Sequence, residues 1–461
     1  MYKIDYEKPI SVYFIGIGGV SMSGLARILA DRKFRVCGSD RDESDNTRAL
    51  EEAGIKVFTP QGAENLDKAG DVDLVVYTAA IHPDNPEFAL AKERNIPMLS
   101  RAELLGQMMT NYKLPVAVAG THGKTTTTGM VSKIMLEAQM DPTITIGGTL
   151  SDIGGNVHVG TSNYFITEAC EYTNSFLSFF PGVGIILNVD ADHLDFFKDL
   201  DDIRNSFHKF AQLIPAGGSL IVNGEIPNLA EITKDLDCRI VTFGFSEEND
   251  YYPTNIKYDS LGNASFHINR RNGDSFEVAL KVPGEHNIGN ALAAAAAADC
   301  FDIEDSQIKS GLASFTGTGR RFEYKGTVDG LVVIDDYAHH PTEIAATLKA
   351  AKNYPHKKLW VVFQPHTFTR TKALMDEFAH ALLPADKLII ADIYAARETD
   401  NLGISSRTLK EKIEELGHEC YYFPSFDEIE KFLLQNCTKD DMLITMGAGN
   451  VVNIANDIVG K

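Results

Sequence analysis

Residues 116–131 read "VAVAGTHGKTTTTGMV": an apolar run, then two glycines, a lysine and four threonines. Those residue types in that order can hold a nucleoside triphosphate. Gly123 allows backbone N–H groups to face phosphate, Lys124 can set a point charge against β and γ oxygens, and the Thr125 hydroxyl can ligate Mg²⁺. Gly120, Thr121 and His122 complete the candidate cradle. Val118 stands where G-x-x-x-x-G-K-[ST] begins with glycine, so the loop departs from that motif at its first position. A second glycine loop, "GIGGVSMSGLA" at 16–26, is similar to the fingerprint that brings a backbone close to a pyrophosphate at a helix N-terminus. Gly16, Gly18 and Gly19 are present, Ser21 replaces the third glycine of that fingerprint, and Asp40 lies about 20 residues on, where an acid takes a ribose hydroxyl.

Further groups able to do chemistry cluster after other apolar runs. "YFITEACEYTNSF" carries Glu168 and Glu171, and "GIILNVDADHLDFF" carries Asp190, Asp192, His193 and Asp195. Carboxylates beside a P-loop threonine suit Mg²⁺, which prefers oxygen ligands; acids after a strand are also common as solvated caps. "GTGRRFEY" places Arg320 and Arg321 where they could clamp a transferring phosphoryl group or make an interdomain ion pair. "IDDYAHHPTEI" gathers two acids, a tyrosine and two histidines before a helix opened by Pro341, and "FQPHTFTRT" adds His366 and Arg370.

The elements that must position these groups alternate strand and helix, the pattern of parallel α/β layers. The pattern restarts three times, at "SVYFIGIGG", "LPVAVAGTHG" and "LVVIDDYAHHP". Only 251–283 differs: polar and apolar residues alternate around Leu261-Gly262-Asn263 and Asn272-Gly273-Asp274, the turn chemistry of antiparallel hairpins. The chain has 461 residues, too many for one core, and divides as 1–112, 113–322 and 323–461. A formal net charge of -21 argues against a nucleic-acid or anionic-lipid surface. Six cysteines without C-x-x-C pairing fit a reducing compartment, and no apolar run approaches a bilayer span; a cytoplasmic protein is expected. Two glycine loops in separate blocks imply a nucleotide-bearing substrate joined to an ATP-driven reaction. An NAD-dependent oxidoreductase and a nucleotide-binding regulatory module are the rival classes.

"GIGGVSMSGLA", "AGTHGKTTT", "TEACE", "NVDADHLD", "GEHNIGNALAA", "GTGRRFE", "DDYAHHPTEI" and "FQPHTFTRT", in that order, resemble the Mur ligases of peptidoglycan synthesis, and the alanine-adding branch most closely. The resemblance implies an α/β protein of three domains: an N-terminal Rossmann-like UDP-binding domain, a central P-loop ATPase-like domain with a small antiparallel β portion, and a C-terminal Rossmann-like domain that takes the amino acid. It implies ATP and Mg²⁺ as cofactors and UDP-N-acetylmuramate and L-alanine as substrates, in a monomer or weak homodimer. The UDP sugar would meet Gly16, Gly18, Gly19, Ser39, Asp40 and Thr78. ATP would meet Gly120 to Thr126, Asn287, Asn290, Arg321 and Asp335; Thr125, Glu168 and His193 would ligate Mg²⁺, and Tyr337, His339 and Arg370 would receive alanine. Lys124, Glu168, His193 and Arg321 would carry catalysis. A recycling ligase that reattaches a murein peptide to the same sugar shares most of these motifs. Thr367 stands where better-known members have arginine. Lys209 lies near the position that sister ligases carbamoylate, a modification the alanine-adding branch lacks.

Overall fold

The computed structural model describes residues 2–460 except Ala79, Asp195 and Arg397. Asp195, one of the acids singled out above, therefore lies outside the described residues. Three sheets organise the chain. The first is wholly parallel, in the order Lys56–Phe58, Arg35–Ser39, Ser11–Ile15, Leu74–Tyr77, Met98–Ser100. Strand order reverses beside Ser11–Ile15, so the Gly16–Gly19 loop opens at the switch point where such sheets bind ligands.

The second sheet has ten strands. Its parallel portion runs Arg239–Phe243, Ser219–Asn223, Val183–Ile186, Leu114–Ala119, Tyr164–Glu168, Thr143–Leu150, with Gly155–His158 antiparallel at that edge. At the other end, the alternating segment forms the antiparallel strands Tyr251–Tyr258, Asn263–Arg270 and Ser275–Pro283, as its turn residues predict. The strands Leu114–Ala119, Tyr164–Glu168 and Val183–Ile186 lie side by side, so the P-loop, the Glu168–Glu171 turn and the Asp190–His193 segment all emerge from one end of the sheet. Above it, helix His286–Asp299 packs on helix Lys124–Glu137. Its Ala291–Ala298 stretch is buried all round, because side chains this small let the helix sit close on every side. None of the described helices is long and apolar enough to cross a membrane.

The third sheet places Glu323–Val328 antiparallel at one edge, followed by the parallel strands Leu331–Asp336, Met442–Met446, Leu359–Phe363, Lys387–Ile390 and Cys420–Tyr422. The first and second sheets share one apolar core, in which Leu104, Met108 and Tyr112 meet Phe165, Phe176 and Phe179. Helix Arg101–Met109 approaches residues 172–178 so closely that a Cβ on Gly106 would lie 1.9 Å from the Ser178 carbonyl oxygen. The third sheet keeps its own cores. It meets the rest largely through charged groups, and such polar interfaces permit relative motion.

Candidate active site

The P-loop begins where strand Leu114–Ala119 ends. Gly120 (φ +141°) and Gly123 (φ +84°) both take backbone angles that favour glycine, and Gly123 caps helix Lys124–Glu137 with no side-chain cap. The first-turn N–H groups thus keep no side-chain partner, which is what an anion at a helix N-terminus requires. A Cβ on Gly123 would lie 2.7 Å from Asn290 Oδ1, so helix His286–Asp299 closes the loop from above. Lys124 Nζ folds back to the Gly120 carbonyl (2.6 Å), the Thr121 carbonyl (3.0 Å) and Glu171 Oε2 (3.0 Å). Burial works against its charge, but Glu171, Cys170 and Glu168 outweigh that and hold its pKa above the ordinary lysine value. Thr125 Oγ1 donates to Glu168 Oε2 at 3.1 Å.

Two cavities meet at this loop. The smaller, about 300 Å³, is lined by Gly123, Thr125, Thr126, Phe243, Phe245, Asn287, Asn290, Arg321 and Asp336, among others. Asn287 Nδ2 donates to the Pro283 carbonyl and its Oδ1 accepts from Asn290 Nδ2 (2.9 Å), which fixes both amides. The larger, about 1100 Å³, reaches from Val20 and Asn46 of the first domain past Lys124, Thr125, Glu168, Cys170, Asp192 and His193 to Arg321, Tyr337 and His339. One continuous space therefore joins the P-loop to the third domain and reaches the first domain at Val20, just past Gly16–Gly19, and at Asn46; Gly16, Gly18, Gly19, Ser39, Asp40 and Thr78 do not line it.

His193 has φ +55°, and its ring stacks on Tyr172 with centroids 4.5 Å apart. Burial, the largest influence, lowers its pKa despite Asp192 and Glu171, so the ring is a neutral nitrogen donor. Among the described residues no three His, Cys, Asp or Glu side chains converge as a metal cage. The hydroxyl and carboxylate of Thr125 and Glu168, open to the large cavity, instead suit Mg²⁺, which keeps several waters and takes substrate phosphate as ligand. Lys209 is exposed on helix Leu200–Gln212 and does not line either cavity.

His122 is clasped between Asp190 (Nε2–Oδ2 3.1 Å) and Glu343 (Nδ1–Oε1 3.2 Å), with its main chain pinned from both sides by the Asn188 amide. Burial opposes its charge, but the two acids outweigh this and raise its pKa to about 9. Glu343, on helix Pro341–Ala351, also accepts from the His339 backbone N–H (3.0 Å) and lies 3.9 Å from Arg321. "HHPTEI" contained Glu343, but its tie to the P-loop spans 221 residues and left no trace in spacing. Burial pushes His339 down to about 3, so that histidine is neutral.

Several expected site residues turn elsewhere. Asp335, expected at the ATP ribose, is fully buried and held by Arg320 Nε (3.0 Å) and Thr445 Oγ1 (2.7 Å). Its neighbour Asp336 lines the smaller cavity instead, because successive residues of a strand face opposite sides of the sheet. Arg320 binds Asp335 and the Gly447 and Gly449 carbonyls, so of the two junction arginines only Arg321 lines both cavities without such commitments. Arg370 is absent from both cavity walls and pairs with Asp192. In the first domain Ser39 is buried with its hydroxyl on Glu87, and Asp40 Oδ2 accepts from the Gly18 N–H at 2.7 Å, bracing the glycine loop itself. Thr78 packs against Gly16, which has φ +82°. Gly19 caps helix Val20–Asp31.

Family models match the chain in three stretches: the Mur ligase family catalytic domain over 11–113, the Mur ligase middle domain over 118–298, and the Mur ligase glutamate ligase domain over 320–449. Over 461 residues the chain is 57% identical to the UDP-N-acetylmuramate–L-alanine ligase of Agathobacter rectalis, covering 100% of both. The solved structure of a UDP-N-acetylmuramate–alanine ligase from Thermotoga maritima matches with a TM-score of 0.81 at 29% identity, over 97% of this chain and 98% of that one. A murein peptide ligase from Psychrobacter arcticus matches with a TM-score of 0.72 at 25% identity, over 97% and 98%. With all three domains matched and a relative 57% identical over its full length, the chain belongs to the Mur ligase family.

Proposed function

We propose that the chain joins L-alanine to the lactyl carboxylate of UDP-N-acetylmuramate with conversion of ATP to ADP and phosphate, a step of peptidoglycan synthesis in the cytoplasm. The observation that carries this reading is the large cavity: it runs from Val20 and Asn46 to Lys124, Thr125 and Arg321, the path along which a carboxylate on a nucleotide sugar must reach a γ-phosphate. Identity of 57% to an alanine-adding relative over the full length, against 25% to a murein peptide ligase, favours alanine over a recycled peptide as second substrate.

In this reading the domains divide at 112 and 322. UDP lies against Gly16, Gly18 and Gly19, with Asp40 and Thr78 holding the loop. Adenosine occupies the smaller cavity against Asn287 and Asn290, and its phosphates lie on the N–H groups of Gly120 to Thr126. The carboxylate attacks the γ-phosphorus; Lys124 and Arg321 stabilise the charge that spreads over the equatorial oxygens. Thr125, Glu168 and His193 would hold Mg²⁺, which when bound neutralises phosphate charge. The resulting acyl phosphate accepts the amine of alanine, supplied from the side of Tyr337 and His339, and phosphate leaves. The third domain, docked through charged contacts, can close to keep water from the acyl phosphate. Six unpaired cysteines support a reducing compartment, and a net charge of -21 supports a protein without nucleic-acid or anionic-membrane partners; a monomer or weak homodimer rests on the family resemblance.

The test is ADP release with UDP-N-acetylmuramate and L-alanine present together and with each omitted in turn. Release that needs both is expected; equal release without either sinks the ligase reading. Faster turnover with a murein tripeptide than with L-alanine would transfer the assignment to the recycling reaction.

A further inference from the structure

The ligase reading leaves open how the incoming amino acid is gripped. Arg370, a basic side chain that the resemblance placed at the alanine, does not line the cavity; Asp192 does. The Asp192 side chain is only 8% exposed, and its two oxygens differ sharply in their surroundings. Oδ1 accepts three hydrogen bonds: from the His193 backbone N–H at 2.7 Å and from Arg370 Nη2 and Nε at 3.0 and 3.1 Å. Oδ2 accepts no hydrogen bond among the described residues; His193 Nε2 lies 3.7 Å from it. A carboxylate this buried needs a compensating charge, which Arg370 supplies from behind, all on one oxygen. The oxygen left with its lone pairs free belongs to a residue on the wall of the cavity that also holds Lys124, Glu168, Tyr337 and His339.

Whatever meets Oδ2 must donate hydrogen bonds, and a cation meets it best. Resting on the ligase reading, we propose that Asp192 Oδ2 receives the α-ammonium group of the incoming amino acid and sets its nitrogen beside the acyl phosphate formed next to Lys124. Arg370 is then a positioning residue: it holds the Asp192 carboxylate with Oδ2 toward the cavity. The amino acid is oriented at its reacting end; as the nitrogen attacks the acyl carbon and the C–O bond to phosphate breaks, one ammonium proton passes to water and the next to the departing phosphate.

The experiment compares two nucleophiles in the full-length protein with UDP-N-acetylmuramate, ATP and Mg²⁺. L-alanine arrives as an ammonium; hydroxylamine is largely uncharged at neutral pH and traps an acyl phosphate as the hydroxamate. In Asp192→Asn the ratio of alanine to hydroxylamine turnover falls roughly 30- to 100-fold, the scale of losing one partner of a buried charged contact, and the half-saturating alanine concentration rises. Asp192→Glu, which keeps the acid, recovers part of that ratio. A parallel loss of both reactions, a rescue of both by added Mg²⁺, or unchanged alanine saturation overturns the proposal. Failure of the ligase reading itself shows separately, as wild-type protein that releases no ADP in response to UDP-N-acetylmuramate and alanine.

Discussion

Lys124 holds its ammonium on two loop carbonyls and Glu171. In Lys124→Ala, ADP release should fall at least about 10³-fold, the scale of removing one charge-stabilising group at a transferring phosphoryl. UDP-sugar affinity, measured by calorimetry, should stay unchanged, because that ligand's loop lies in another domain; equal loss of both would contradict the division of labour. Residue by residue, motif chemistry named Lys124, Thr125, Glu168, Asp192, His193 and Arg321 on this wall, and the resemblance gave roles to Tyr337 and His339. The resemblance put Asp335 at the ATP ribose; both acids stand at the end of one strand, and only the packed sheet decides that Asp336 lines the smaller cavity while Asp335 meets Arg320. The sequence did not show that Arg370 is committed to Asp192, 178 residues away.

Between elements, two contacts make the P-loop sensitive to single changes. Gly123→Ala would place a methyl group in a left-handed backbone position 2.7 Å from Asn290 Oδ1. The backbone alone costs roughly 1–2 kcal/mol, so the thermal midpoint should drop and the half-saturating ATP concentration rise, with that for UDP-N-acetylmuramate unaffected. The second contact is the clasp of His122 between Asp190 and Glu343, which ties the loop to helix Pro341–Ala351. A histidine raised from 6.5 to about 9 contributes its full stabilisation below pH 6.5 and loses it as pH rises through 9. The wild-type melting temperature should therefore decline more steeply between pH 6.5 and 9 than that of His122→Asn, and parallel curves for the two proteins would refute the clasp. Of these elements the hairpins at 251–283 and the strand-to-glycine turns were plain from alternation and turn residues. The short strands Met98–Ser100 and Cys420–Tyr422 fall within "IPMLS" and "CYYFP", which continue the alternation, whereas Lys56–Phe58 carries too few residues for a period of its own.

Across the whole molecule, the first and central domains share an apolar core while the third is attached through charged groups and the junction at Arg320. Arg320→Ala leaves the buried Asp335 carboxylate without its partner, a loss on the order of 3–5 kcal/mol. Differential scanning calorimetry should show the third domain melting earlier, as a transition separated from the rest; a uniform shift of one transition would mean that the junction couples all three domains. The amino-acid order by itself determined the α/β class, the triple restart of strand and helix, the two strand-to-glycine loops and the family, because turn conformation and motif chemistry are local properties of glycine, lysine and threonine. Only the tertiary structure decided which acid faces which cavity, that Glu343 reaches the P-loop, and that Asp192 rather than Arg370 meets the cavity. Those facts depend on side chains more than a hundred residues apart arriving at one end of a sheet, and no spacing along the chain records such a meeting.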